Sequence, residues 1–418
     1  MIPFMEKFNL AVLCLFFLCY FYQMVYILVR FVKQRKDYTP QRQHRFAVLI
    51  SARNEQSVIG ELLDSIHNQR YPRALIDVYV VADNCEDDTA RIATEHGATV
   101  FERENRQFVG KGYALDYAFA RIRESVGLRA YEAYIIFDAD NVLDENYICE
   151  MNKTFDQGYR VITSYRNSKN FGANWISAGY ALWFLRESQY LNGARMSLHT
   201  SCAISGTGFL VSSAVIERNG GWKYHLLTED IEFTIDSAVQ GEVIGYCERA
   251  VFYDEQPEDF RSSWRQRLRW AKGFYQVFRN YGASLIKGCV RHHSFQCYDM
   301  LMTIAPATLL TLVTIVFNAA FCAYGLAMNK PLIVDAALAE VLVTLMGVYL
   351  SLFLFGLVTT VTEWRQIHCS SYKKILYLFT FPVFIFTYVP IAIVALFKRV
   401  TWEPIAHTIS KNVQEIRQ

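Results

Sequence analysis

No two of the ten cysteines are spaced as CxxC, and Cys14, Cys19 and Cys322 lie in apolar runs. This removes a disulfide framework and a cysteine zinc site and leaves reduced, mostly buried thiols. Neither sign of charge is in excess: 42 Lys and Arg face 40 Asp and Glu, a balance that argues against a nucleic-acid binder working through global positive charge. Internal repeats and low-complexity tracts are missing as well. The first apolar run lacks a small-residue cleavage site, so it reads as an anchor and not as a removed signal peptide. What the chain has is apolar length. Its 418 residues are 52% hydrophobic and 15% aromatic, enough for one soluble domain and several transmembrane helices.

The anchor runs from Phe8 to about Val32, and Arg30, Lys33, Arg35 and Lys36 follow as a stop-transfer flank. The positive-inside rule then places the next segment in the cytoplasm. Between about Arg45 and Pro257, short β-type runs (Phe46 to Ser51, Ile76 to Ala82, Tyr134 to Phe137) alternate with helical patterns (Gln56 to Asn68, Asp87 to Glu95, Gly112 to Arg123). Such alternation predicts an α/β domain with a mostly parallel sheet and helices on both faces. Ligands of these sheets bind beyond the carboxyl ends of the strands. The polar clusters fall there: Arg53-Asn54-Glu55, Asp83-Asn84 and Asp138-Ala139-Asp140.

Phe260, Trp264, Leu268, Ala271, Tyr275 and Phe278 recur at helical spacing among arginines, the pattern of a helix lying along the membrane interface. Three apolar stretches follow, roughly Met300 to Ala327, Leu332 to Val361 and Ile375 to Phe397. Three crossings would put the tail outside, whereas Lys398 and Arg399, like Lys373 and Lys374 at the other end, prefer the inside. Pro382 and Pro390 offer a kinked or re-entrant alternative that keeps the tail inside. Both remain open at this stage. The expected segments are residues 1–42 (anchor and basic linker), 43–258 (catalytic domain), 259–297 (interfacial helices), 298–398 (spans) and 399–418 (tail).

Asp138 and Asp140 stand at i and i+2 after an apolar strand, so both carboxylates project to one side. They can hold Mg2+ or Mn2+ bridging nucleotide phosphates, or they can be a solvated turn. Thr228-Glu229-Asp230 makes a good helix start, which is its bland reading. The chemical reading gives Asp230 the proton of an acceptor hydroxyl as that oxygen attacks a sugar's anomeric carbon, a single displacement that inverts configuration. Gln266, Arg269 and Trp270 share one helical face, suited to sugar hydroxyls, diphosphate oxygens and a pyranose face, or simply to a basic membrane helix. Gly110-Lys111-Gly112 offers a cationic approach to phosphate or is merely a turn. Gly206, Thr207 and Gly208 allow an acceptor close to the backbone or only mark a tight strand entry. His225 reads as a hydrogen-bonded neighbour of the proposed base.

In order and context, Asp83, Asp138-Ala139-Asp140, Thr228-Glu229-Asp230 and Gln266-Arg267-Leu268-Arg269-Trp270 resemble the motif series of processive family-2 glycosyltransferases, the cellulose, poly-N-acetylglucosamine, chitin and hyaluronan synthases. The resemblance covers roughly Phe46 to Phe278, and the Thr-Glu-Asp form is closer to the cellulose and poly-N-acetylglucosamine branches. It implies a GT-A domain in the cytoplasm, a multi-pass cell-membrane location, a UDP-sugar donor (UDP-glucose or UDP-N-acetylglucosamine), and a growing β-linked glycan extruded through the lipid bilayer. Carried over, Asp83 contacts uridine, Asp138 lies by the diphosphate, Asp140 ligates the metal and Asp230, with Thr228 and Glu229, is catalytic. Gln266, Arg269 and Trp270 hold the acceptor, while Arg53, Glu55 and Lys111 are softer matches on the nucleotide side. The chain departs from cellulose synthases in its few spans and in a tail of about twenty residues with no room for a cyclic-di-GMP domain. A homodimer or accessory subunit could complete the channel.

Two rivals stand beside this reading. One is a non-processive transferase adding one sugar to a lipid-linked acceptor. The other is a nucleotide-sensing transporter subunit, for which Asp335 and Glu340 are the few ionisable residues within the spans.

Overall fold

The computed structural model describes residues 1–32 and 38–418, so Lys33, Arg35 and Lys36 lie outside the described residues. Eight strands form one sheet: β1 (Phe46–Ala52), β2 (Ile76–Asp83), β3 (Thr99–Arg103), β4 (Ala133–Asp138), β5 (Val142–Leu143), β6 (Val161–Ser168), β7 (Phe209–Ser212) and β8 (Ile244–Asp254). Their order is β3-β2-β1-β4-β7-β6-β8-β5. The first four are parallel and joined by the helices Ile59–His67, Thr89–Glu95 and Lys111–Ser125. Because side chains alternate along a strand, each strand feeds two cores. Ala47, Leu49, Tyr134 and Ile136 pack with Leu115 and Phe119, while Phe46, Val48, Ile50 and Ile135 pack with Leu62, Leu63 and Ile66.

The sheet is more mixed than the sequence pattern indicates. β7 runs antiparallel to both β4 and β6, and β5 runs antiparallel to β8. The chain enters β7 through Gly208, at φ +67, where a Cβ would stand 2.2 Å from the Phe252 ring. Only glycine fits that approach.

The helix Phe260–His292 is continuous over 33 residues and is N-capped by Asp259, whose side chain accepts from the Ser262 amide. Its buried stripe faces two partners: Leu268 and Ala271 meet Ile391 and Ala395, whereas Val277 and Leu285 meet Ile231 and Ile235. At Gly273 a Cβ would lie 2.4 Å from Thr228 Oγ1, so glycine lets this helix seat directly on the Thr228 turn. Further along, Phe295–Ile304 is a separate helix, ending at Ala305, instead of the start of a span from Met300. Its Asp299 is fully buried. It accepts from Arg195 Nε (2.8 Å) and Nη2 (2.7 Å) and from the Tyr22 and Tyr26 hydroxyls (2.9 and 2.7 Å), pinning the N-terminal helix Ile2–Val32 to the sheet domain. Breaking a buried pair by removing one partner costs about 3–5 kcal/mol, so this is a firm joint.

Four helices are long and apolar enough to cross a membrane: Ile2–Val32, Leu309–Ala327, Pro331–Thr362 and Ser371–Phe397. The last differs from the others. It breaks at Thr387, and 39% of its apolar window is buried against protein, compared with 6 to 11% in the other three. Arg267 Nη1 donates to Phe384 O (3.1 Å) and to Thr387 Oγ1 (2.6 Å) at the break, supplying partners where the helical ladder is interrupted. Both ends rest on protein. Lys373 Nζ donates to Gly172 O (2.5 Å), and Ala395 O accepts from Lys272 Nζ (2.9 Å). The tail then returns to the sheet domain, where Thr408 and Ile409 amides donate to Glu255, Arg417 pairs with Asp144, and Ile416 is buried with Val142 and Tyr253. The break at Thr387 and the tail docked on the sheet domain accord with the kinked alternative.

Candidate active site

The carboxyl ends of β1, β2 and β4 deliver Arg53 with Glu55, Asp83, and Asp138 with Asp140 to one open cleft of about 1050 Å³. Lys111 joins them from the start of its helix. Across the cleft stand Thr228, Glu229 and Asp230 at the N-terminus of the helix Glu229–Val239, with Gly206 beside them. Gln266, Arg269 and Trp270, from the helix Phe260–His292, line it as well. Thr207 and Gly208 do not line the cleft and sit behind its wall. Thr207 Oγ1 accepts from the Asp138 amide (2.8 Å) and donates to Asn141 Oδ1 (2.5 Å), so it shapes the Asp138 turn. His225 lies outside the cleft too, stacked on Tyr113.

At the end of β2, Asp83 accepts from Arg103 Nη1 (2.5 Å) and Asn84 Nδ2 (2.9 Å). Burial raises its pKa, opposed by Arg103 and Arg53. Lys111 Nζ donates to Asp138 (2.5 Å) and to Gly206 O (2.9 Å), bridging the β4 turn and the segment before β7. Asp140 is buried and accepts from the Glu255 amide (3.1 Å) and Asn141 Nδ2 (3.2 Å). Burial favours its neutral form, but His407, Lys169 and Arg166 outweigh it and hold the carboxyl below its usual value.

The turn Thr228-Glu229-Asp230 behaves in the opposite way. Burial, reinforced by the neighbouring Asp230 charge, pushes Glu229 up to about 8. Asp230 is also raised by burial, yet the Ile231 and Gly206 amides, Lys111 and Arg269 favour its charged form. The Gly206 amide donates to Asp230 Oδ2 at 2.6 Å, fixing the carboxylate while leaving lone pairs to take a proton. Trp270 is wedged edge-on against Tyr180 and Phe184, with ring centroids 5.7 and 6.1 Å away. Gln266 Oε1 and Thr228 Oγ1 are buried without a hydrogen-bond partner, so the cleft wall holds unsatisfied polar atoms of the kind a bound ligand would engage.

Among the described residues, no three His, Cys, Asp or Glu side chains form a ready metal cage. A hard dication that shares a diphosphate needs fewer protein ligands. The ionised, buried Asp140 and the neighbouring Asp138 offer oxygen donors of the right chemistry, and the residues present fit Mg2+ or Mn2+.

Several lining residues carry no sequence motif. Arg166 pairs with Asp254, donates from Nη1 to Ser205 O (2.9 Å) and lies 3.5 Å over the Phe184 ring. Asp254 is pushed up to about 6 by burial, against the pull of Arg166. The returning tail adds Trp402, whose ring lies 5.2 Å from the Arg53 guanidinium, and His407, whose Nδ1 is 2.9 Å from Glu55 Oε1. Burial would lower the His407 pKa, but Asp140 and Glu55 push it up to about 10. Burial raises Glu55 to about 7, against the pull of His407. The period-2 placement of Arg166 on β6, at the strand's carboxyl end, was the one available signal. The tail residues gave none, because their place depends on the break at Thr387 and on how the tail docks.

The model of Glycosyltransferase like family 2 matches residues 44–273, more than half of the chain. β-Monoglucosyldiacylglycerol synthase of Trichormus variabilis is 26% identical over 272 residues, covering 61% of this chain and 54% of that protein. Poly-β-1,6-N-acetyl-D-glucosamine synthase of Staphylococcus epidermidis is 25% identical over 245 residues, 57% of this chain and 56% of that protein. The chain thus spans about half the length of the curated relatives it matches. Mannosyltransferase PcManGT from Pyrobaculum calidifontis, solved in complex with GDP-Man and Mn2+, has a TM-score of 0.55 at 18% identity, covering 94% of this chain and 99% of that one, a likeness of fold. The chain belongs to glycosyltransferase family 2 and has a GT-A sheet core and long apolar helices.

Proposed function

Because the chain is a family-2 glycosyltransferase, we propose that it transfers a sugar from a UDP-sugar to an acceptor hydroxyl with inversion, elongating a β-linked glycan at the membrane. One observation carries this reading: Asp140, Asp230 and Trp270 line the same cleft. The diphosphate side is given by Arg53, Lys111, Asp138 and Asp140, the base by Asp230, and the acceptor wall by Gln266, Arg269 and Trp270.

Asp230 takes the proton of the acceptor hydroxyl as its oxygen bonds to the anomeric carbon and the bond to the diphosphate breaks. Raised by burial, Glu229 holds a proton near neutral pH and spares Asp230 a second adjacent charge. Lys111 and Arg269 stabilise charge on the departing diphosphate. Asp140 and Asp138 would hold the divalent cation, which when bound neutralises diphosphate charge. Arg166 and Asp254 keep the floor of the cleft rigid. The spans, the interfacial helix and the returning tail support a multi-pass membrane location with the catalytic domain and tail on the cytoplasmic side.

A second reading, transfer of a single sugar to a lipid-linked acceptor, is favoured by the small number of candidate spans, four, of which the last has 39% of its apolar window buried against protein. Membranes carrying the chain, incubated with Mn2+ and radiolabelled UDP-glucose or UDP-N-acetylglucosamine, separate the two. Label in an ethanol-precipitable polymer is the expected result. Label confined to organic-soluble product would replace elongation with the lipid reading.

A further inference from the structure

A second cavity, of about 260 Å³, shares no lining residue with the cleft. It lies between Gln23 and Ile27 of the helix Ile2–Val32, Phe355 and Thr359 of Pro331–Thr362, and the end of the helix Trp175–Arg186. Arg186 reaches it where this last helix widens into the π-helical turn Glu187–Asn192. Widened turns of this kind often mark functional positions. The half-buried guanidinium donates from Nη2 to Gln23 Oε1 (2.7 Å) and lies 5.2 Å from the Trp183 ring and 5.4 Å from the Phe355 ring. Among the described residues it makes no other hydrogen bond and no ion pair. Arg30, Arg166 and Arg195, by contrast, each meet a carboxylate. Burial lowers the Arg186 pKa, and Glu187 opposes it only in part. A desolvated cation with open donors and no counter-ion is a place for an anion.

We propose that this cavity binds the phosphate headgroup of an anionic phospholipid from the bilayer, with Arg186 as its counter-ion. The walls identify the source. Two of them are helices long and apolar enough to cross a membrane, and Met24, Leu28, Leu354 and Val361 on the same stretches are exposed, a surface for acyl chains. Both helices dock on the sheet domain at these ends, Arg30 through Glu248 and Glu363 through Tyr165, which sets the cavity at headgroup level. Trp183, exposed beside the guanidinium, suits that level, where indoles collect. The planar fork of Arg186 can donate to two phosphate oxygens at once. The site is independent of the sugar donor and of the acceptor.

The test is native mass spectrometry of the full chain in detergent, titrated with phosphatidylglycerol or with phosphatidylcholine of the same acyl chains. Wild type should retain phosphatidylglycerol at least about tenfold more tightly, the scale of one charge-assisted contact. Arg186→Gln should remove the preference and Arg186→Lys should keep part of it. Arg291→Gln, at an exposed position near the end of the helix Phe260–His292, should leave it unchanged. In parallel, phosphatidylglycerol with a photoreactive group next to the headgroup should form adducts with wild type at the cavity-lining residues. Equal retention of the two lipids, a preference that survives in folded Arg186→Gln, or adducts confined to other surfaces overturns the assignment. Displacement of the lipid by millimolar inorganic phosphate also overturns it, in favour of a free-phosphate site. If Arg186→Gln does not fold, the wild-type adducts decide alone.

Discussion

Asp230→Asn is expected to lower sugar transfer by about 10²–10⁴-fold, the span typical of a lost general base, while changing UDP affinity by no more than a few-fold. The asymmetry follows from position. Asp230 receives the Gly206 amide on one oxygen and comes from the N-terminus of the helix Glu229–Val239, whereas Asp83 and Arg53 come from the carboxyl ends of β2 and β1. Asparagine is nearly isosteric and can still accept from Gly206, so the turn should survive while the proton acceptor disappears. The wild-type rate should also fall as pH drops, because burial raises both carboxyls of the turn and the base acts only when ionised. Steady-state kinetics alongside UDP titration checks both points. A variant with near-normal turnover would remove Asp230 from the base's role.

Asp140→Asn should act on the other half of the cleft. Mn2+-dependent UDP binding is expected to weaken by at least about tenfold, with the donor KM rising in parallel. Asp140 is ionised because His407, Lys169 and Arg166 surround it. Removing its charge leaves those cations facing one another, so part of the loss will be repulsion within the empty variant and not the missing ligand alone. Titration of Mn2+ in the presence of UDP reads this directly. A fall in kcat with donor and metal affinity unchanged would place Asp140 outside the cation's coordination.

Much of this molecule was legible in its sequence where local pattern decides structure. β1, β2 and β4 are apolar runs buried on both faces, and each begins or ends within a residue or so of the expected place. Their carboxyl ends carry Arg53, Asp83 and Asp138 because a parallel sheet puts its polar turns there. The antiparallel β7, four residues long, left no such signature, since its direction is set by tertiary packing around Gly208 and Phe252. Thr207 shows the limit of motif reading: its hydroxyl serves the Asp138 backbone and not the cleft. Trp402 and His407 were beyond reach for a different reason. Nothing in the tail encodes contact with Glu55, and only the break at Thr387, stabilised by Arg267, brings the chain back.

The account stands on one displacement carried out between a nucleotide held at Asp138 and Asp140 and a base at Asp230. The most direct test is the anomeric configuration of the new linkage, determined by NMR on product made by purified full-length protein from an α-linked UDP-sugar with a 13C label at the anomeric carbon. A β linkage is the expected result; an α linkage would contradict single displacement and the role given to Asp230.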